Sequence, residues 1–270
     1  MKKIIYRILA GTLLFALGCA NPLEAGAKKD TDEAIYEDIE KLMDESDWDN
    51  ALVKLESLSS SFKERHDVIR TWAGVYAGKC GLDFITFTGD LENADLSSST
   101  LFRYFMNLFQ DVSVDPASCD LAQTKMEEIG DLPAERTAGD NFFMAVLGMV
   151  KMGTYLRSLA DTNQDGTTDV TFNSCAAGSF SDANLNNFIT GMGLVTNNVS
   201  YLPSSVSGSI GSYFTTINTV CGAACTITDP AAVTGANRDV FRDILKTGSG
   251  NPTLPAGIET CVNPAVPACC

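Results

Sequence analysis

The chain has 270 residues, with 34 Asp and Glu against 19 Lys and Arg, a formal net charge of −15 and a pI near 4.4. That balance excludes the basic footprint of a nucleic-acid binder and argues against electrostatic attachment to anionic lipid headgroups. It leaves a solvated acidic surface on a chain long enough to bury a real core as one large domain or two small ones.

In chain order, Lys2, Lys3 and Arg7 frame an apolar run from Ile8 to Leu17. This is the charged n-region and short h-region of an export signal. The run is too short to span a bilayer, which takes about 20 apolar residues. It ends in Ala16-Leu17-Gly18-Cys19, which resembles the bacterial lipobox with Ala16 in place of the more usual leucine. The segment is thereby identified as that of a bacterial lipoprotein. The resemblance implies that residues 1–18 are removed as a signal peptide and that Cys19 carries lipid. One acyl chain binds only marginally at about 0.8 kcal/mol per buried methylene, so the two or three chains of that family imply stable membrane attachment. Ala20, with no Asp after the cysteine, implies the outer membrane, facing the periplasm. Residues 19–31 read as the lipidated N-terminus and a flexible tether, and 32–270 as a helical domain.

Helical periodicity begins near Asp32, with Ile35, Ile39, Leu42 and Met43 on one stripe. Asp44-Glu45-Ser46-Asp47 breaks it. A second helix carries Trp48, Ala51, Leu52, Leu55 and Leu58. A third starts after Arg65 and carries Val68, Ile69, Trp72, Ala73 and Tyr76. Trp48-Asp49-Asn50-Ala51-Leu52 with Leu55 resembles the second helix of a tetratricopeptide repeat. Ile69, Trp72, Ala73 and Tyr76 resemble the first helix of the next, although Asp38 and Ile39 depart from the pattern in the opening helix. The resemblance implies TPR-like hairpins over 32–91, presenting a protein-interaction face around Trp72 and Tyr76. Such repeats need about three units to bury a continuous core, so one or two hairpins must merge into a larger helical body. A generic helical pair accounts for the same pattern.

Further helices are expected at 98–111, 120–129, 138–160, 181–200 and 236–247, with a short one opened by Asp229-Pro230. The 138–160 segment is the strongest. Phe142, Phe143, Val146, Leu147, Val150 and Tyr155 give it a broad apolar face, and Gly148 and Gly153 suit close packing with a neighbour. Asp140, Lys151 and Arg157 make it a core helix rather than a membrane span. The region 98–172 thus holds helices and an Asp-rich loop. From Asn173 onward Gly, Ser, Asn and Thr increase, and Asn251–Cys270 reads as irregular. The fold expected is all-α: a helical bundle with TPR-like hairpins and a loop-rich, disulfide-stapled C-terminal part over 173–270.

Nine cysteines are present. With Cys19 assigned to lipid, Cys80, Cys119, Cys175, Cys221, Cys225, Cys261, Cys269 and Cys270 form an even set of disulfide candidates in an exported chain. Their connectivity stays open. Cys221-Gly-Ala-Ala-Cys225 lacks Cys-x-x-Cys redox spacing and suits a structural bridge better than a zinc site, whose thiols would have to stay reduced.

The one sharp motif is Asp161-Thr162-Asn163-Gln164-Asp165-Gly166-Thr167-Thr168-Asp169. Oxygen donors at positions 1, 3 and 5 with Gly at 6 match the opening of an EF-hand calcium loop, and resemble the shorter loops of dockerins and thrombospondin-type repeats. Asp161, Asn163, Asp165, the Thr167 carbonyl and Asp169 are the candidate ligands of a structural Ca2+. Phe172 stands where the closing Glu belongs, and Asp182 is a candidate closing oxygen. Asp, Asn and Gly also favour a plain solvated turn.

His66, the only histidine, lies in Lys63-Glu64-Arg65-His66-Asp67, a charged, loop-like stretch. No phosphate-binding Gly loop is present, and no catalytic residue is assigned. The function expected is a lipid-anchored, non-enzymatic envelope protein presenting a helical scaffold to a protein partner. The alternative is a periplasmic enzyme or small-ligand binder with a cleft site. A deep polar pocket with convergent ionisable groups would favour the alternative, and a shallow concave groove lined by Trp72, Tyr76 and their neighbours the scaffold.

Overall fold

A computed structural model describes residues 30–94, 99–247 and 257–260. The signal segment 1–18, Cys19, Cys261, Cys269 and Cys270 lie outside the described residues. The chain is all-α. Its helices are α1 (Asp32–Asp44), α2 (Trp48–Ser57), α3 (Ser60–Lys63), α4 (His66–Cys80), α5 (Phe84–Glu92), α6 (Leu101–Asn107), α7 (Pro116–Glu127), α8 (Ala138–Ala160), α9 (Asp182–Asn198), α10 (Ser204–Cys221) and α11 (Gly235–Ile244). A two-residue strand β1 (Lys246–Thr247) pairs in parallel with β2 (Glu259–Thr260), so the expected irregular tail contains one short extended segment. No helix among the described residues is long and apolar enough to cross a membrane.

Local chemistry sets the helix starts. Thr31, Asp47, Asp83, Thr137, Ser181 and Thr234 each accept a backbone N–H of the first turn, which satisfies donors that no intrahelical carbonyl can reach. Pro116 opens α7 where a missing N–H costs nothing. The break after α1 runs through Ser46 at φ 57°, and α4 ends on Gly81 at φ 119°.

The 23-residue α8 is the axis. It packs against α9, α6, α7 and α4 and is buried along nearly its whole length. Its two interior glycines allow this. A Cβ on Gly148 would lie 2.5 Å from the Gly191 carbonyl oxygen of α9, and one on Gly153 would lie 2.6 Å from the Phe105 carbonyl oxygen of α6. At the start of α8, Thr137 and Asp140 form a capping box. Asp140 also accepts two hydrogen bonds from Arg70 of α4, at 2.6 and 3.0 Å. Arg70 first, and Thr137 after it, hold the Asp140 carboxyl down at about 2. A depressed carboxylate contributes stability above the ordinary carboxylate range, and that contribution is lost as pH falls through its folded value.

Two apolar clusters share α4. Val68, Trp72 and Val75 pack with Ile39, Ala51 and Leu55 of the N-terminal hairpin. Ala73, Ala77 and Cys80 face the main core around α8. The Cys80–Cys119 disulfide joins α4 to α7 with a Cα separation of 5.2 Å. Cys221 and Cys225 bridge the end of α10 to the following 3-10 turn, and Cys175 is disulfide-bonded as well.

One expectation needs correction, and two helices stand where the sequence pattern predicts none. His66 does not lie in a loop: it is the first residue of α4. Helix α5 was not anticipated, because Thr86, Thr88 and Gly89 weaken its propensity; Phe87 and Leu91 bury it all the same. Helix α10 was hidden by Ser, Gly and Thr, although Val206, Ile210, Phe214 and Ile217 keep helical spacing and are buried.

Gly148 and Gly89 make opposite predictions. Gly148→Ala should destabilise the protein by about 1–3 kcal/mol, because a backbone oxygen blocks the new methyl. Gly89→Ala has nothing within 4 Å of its Cβ and should stabilise by about 0.5–1 kcal/mol. Urea denaturation midpoints of the two variants check both signs.

Candidate functional site

The acidic turn directly follows α8. Asp161 is buried and accepts the Asp165 N–H on Oδ1 at 3.0 Å and the Gly166 N–H on Oδ2 at 3.1 Å. Asn163 Oδ1 accepts the Asp165 N–H at 3.3 Å, and Asp165 Oδ1 accepts the Thr167 N–H at 2.8 Å. Asp169 closes the turn by accepting the Thr162 N–H at 3.0 Å. Gln164 at φ 64° and Gly166 at φ 77° carry the chain around. The Thr167 hydrogen bonds keep the Asp165 carboxyl below its ordinary range. The predicted residues are thus gathered into one turn, and their side chains are engaged with its amides. Among the described residues no three His, Cys, Asp or Glu side chains are placed to hold a metal together. Phe172 turns into the core beside Phe180. Asp182 lies at the start of α9, paired with Arg242 at 2.8 Å and Arg238 at 3.2 Å, so it is engaged elsewhere.

Trp72 and Tyr76 line a groove of about 600 Å³ with Lys63, His66, Lys125 and Glu128. Trp72 is itself only 5% exposed, so it is chiefly a core residue of the hairpin. Lys125 Nζ sits 4.2 Å from its ring centroid, a cation–π contact. Lys125 pairs with Glu128 and Lys63 with Glu56, so the groove carries no net excess of either sign from these pairs.

A larger groove of about 930 Å³ opens on the other side of α4. Its floor includes Gly74, Ala77 and Gly78. Met43 and Trp48 contribute from the N-terminal hairpin, and Phe84, Ile85 and Phe143 from the main body. Phe84 stacks on Phe143 with centroids 6.4 Å apart. Ile85 is 83% exposed. Among the described residues that line the groove, Asp44 and Asp83 are charged and none is cationic.

The buried centre that sequence reasoning missed is Lys151. Its Nζ is 2.8 Å from Asp120 Oδ1 and donates to Gln123 Oε1 at 2.8 Å and Thr190 Oγ1 at 2.7 Å. Asp120 Oδ1 meets Lys151 as an ion pair rather than as a well-aligned hydrogen bond. Asp120 Oδ2 accepts the Tyr155 hydroxyl at 2.6 Å and Asn187 Nδ2 at 2.7 Å. Burial pushes the Lys151 ammonium down, with Asp120 opposing, and burial with Asp120 pushes the Tyr155 phenol up. The cluster floors a cleft of about 510 Å³ that Glu127, Asp131 and Asp229 also line. Burial raises the Glu127 carboxyl. The available signal was Lys151 itself, set between Val150 and Met152 in an apolar helix. Two of the ammonium's three donors are used on Gln123 and Thr190 and its charge faces Asp120, so the arrangement ties α7, α8 and α9 together.

No protein-family model matches this chain, and no curated protein or solved structure matches it.

Truncating Lys151 separates this tie from simple packing. Lys151→Ala should cost about 3–5 kcal/mol, since it strands the Asp120 carboxylate. The double variant Lys151→Met with Asp120→Asn should recover most of that loss. Equal destabilisation of both variants in urea would show that the charge pairing is irrelevant.

Proposed function

We propose that this chain is a lipid-anchored, non-enzymatic protein of the cell envelope that presents a helical scaffold to another protein. The observation that carries this reading is the open apolar groove between Met43, Trp48, Phe84 and Phe143, since contiguous exposed apolar surface marks interaction sites. The TPR-like residues of the first helices support the same reading. The lipobox resemblance at Cys19 supports attachment at the outer membrane facing the periplasm, and the disulfides fit an oxidising compartment. The cleft beside Lys151 is where an enzyme or small-ligand reading would have to reside. Its central polar groups are already bonded to one another, which favours the scaffold.

In this proposal the Asp161–Asp169 turn takes a structural calcium ion, with its side chains converging on the ion when it binds. Its donors are hard oxygens. A carboxylate offers about four lone-pair sites, and each Asp161 oxygen accepts one amide, so bonding to the turn leaves capacity for a cation.

Two measurements test these readings. Mass spectrometry of the mature N-terminus should find Cys19 acylated, and Cys19→Ser should move the chain from the membrane to the soluble fraction; unchanged membrane partition overturns the anchor. Calcium, compared with chelator, should raise the thermal midpoint, and Asp165→Ala should abolish the rise. A midpoint indifferent to calcium overturns the ion site.

A further inference from the structure

The groove that carries the scaffold reading is asymmetric in its chemistry, and this says what it takes. Its walls are apolar on both sides: Met43 and Trp48 from the hairpin, Phe84, Ile85, Val112 and Phe143 from the main body. Gly78 and Gly74 seat the hairpin wall on α4: a Cβ there would meet the Trp48 ring at 2.6 Å and the Met43 methyl at 3.4 Å. The aromatic walls are half-buried, and Ile85 stands almost free of its own protein. An isoleucine in that position loses the hydrophobic stabilisation of burial, roughly 1.5–3 kcal/mol for a full side chain, until something covers it.

Charge narrows the choice of occupant. Among the described residues, both charged ones that line it, Asp44 and Asp83, are exposed carboxylates. Asp44 opens the acidic turn Asp44-Glu45-Ser46-Asp47. Asp83 caps α5 by accepting the Thr86 N–H, and that bond keeps its carboxyl below the ordinary range. Lys79, beside Gly78 on α4, is held by Asp49 and is not among the lining residues. A second copy of this acidic chain would bring like charge to an acidic rim, which opposes association. A neutral lipid surface would leave the carboxylates unanswered.

We infer that this groove docks a segment of another protein in which apolar side chains are flanked by Lys or Arg. The inference rests on the scaffold reading and adds the partner's chemistry to it. Apolar anchors fill the space between Trp48 and Phe143 and cover Ile85. The basic flanks meet Asp44 and Asp83, giving on-rate and selection against acidic partners more than affinity.

Two arms test it. In the first, a photoreactive benzoylphenylalanine replaces Ile85 in the full lipidated chain, intact cells are irradiated, and the crosslinked peptide is mapped by mass spectrometry. The expected adduct is with another protein, through a peptide carrying Lys or Arg next to apolar residues. An adduct through an acidic or uncharged peptide overturns the basic-partner inference and leaves the scaffold reading standing. An adduct with a second copy or with lipid, or no adduct, overturns both. The second arm uses short synthetic Leu/Lys and Leu/Glu peptides, with Trp48 fluorescence in a Trp72→Phe background as the reporter. The Leu/Lys peptide should bind more tightly. Asp44→Lys should weaken it about threefold, in line with one exposed ion pair, and Ile85→Ser should weaken it further. Asp239→Lys, on the exposed face of α11 and outside the groove, should leave it unchanged. Equal binding of the two peptides, or equal effects of Asp44→Lys and Asp239→Lys, overturns the assignment.

Discussion

A helix surrounded by protein on every side has to find partners for each charge it carries, and α8 is such a helix. Its three charged groups are met in three different directions. Asp140 takes Arg70 from α4, Lys151 takes Asp120 and Gln123 from α7 with Thr190 from α9, and Arg157 donates to the Phe109 carbonyl beyond α6. Burial of an unpaired charge would cost several kcal/mol. The same pairings therefore fix which helices can lie against α8 and at what height. Apolar packing around this axis is permissive about register, since Leu, Val and Met fit many neighbours. The polar contacts are not permissive, and they make the arrangement specific.

This explains what could be read in the chain and what could not. The boundaries of α8 follow from a Thr-x-x-Asp capping box and an apolar run ended by an Asp-rich turn, all of them local signals. The helices α1, α2 and α4 follow from stripes whose hydrophobic residues are spaced for one buried face. Helix α10 has an equally regular stripe, but Ser, Gly and Thr between its apolar positions lower its intrinsic propensity, so only packing makes it a helix. The partners of Lys151 were invisible for another reason. Asp120, Gln123, Tyr155, Asn187 and Thr190 are common polar residues spread over three helices, and nothing local distinguishes them from surface residues. Trp72, a large aromatic at a repeat-like position, serves two ends: most of its surface is used inside the hairpin, and the rest lines the smaller groove with Tyr76.

The groove beside α4 is a consequence of the same architecture. One wall belongs to the N-terminal hairpin and the other to the body built on α8, so its width depends on where α4 sits between two apolar clusters. Two links hold that position. Arg70–Asp140 ties α4 to the start of α8, and Cys80–Cys119 ties its end to α7. A disulfide closing a loop of this size constrains the unfolded chain by roughly 3–4 kcal/mol. It also keeps α4, which both clusters share, in fixed contact with α7 of the main core. A binding surface assembled from two packing units is only as well defined as the joint between them, and here that joint is covalent at one end and ionic at the other. Small residues complete the arrangement: Gly74 and Gly78 let Met43 and Trp48 lie close on α4, and a Cβ at Gly78 would run into the Trp48 ring. The apolar surface left open is thus held by contacts outside the groove itself, which is the condition under which exposed hydrophobic side chains can keep a shape for a partner rather than collapse onto one another.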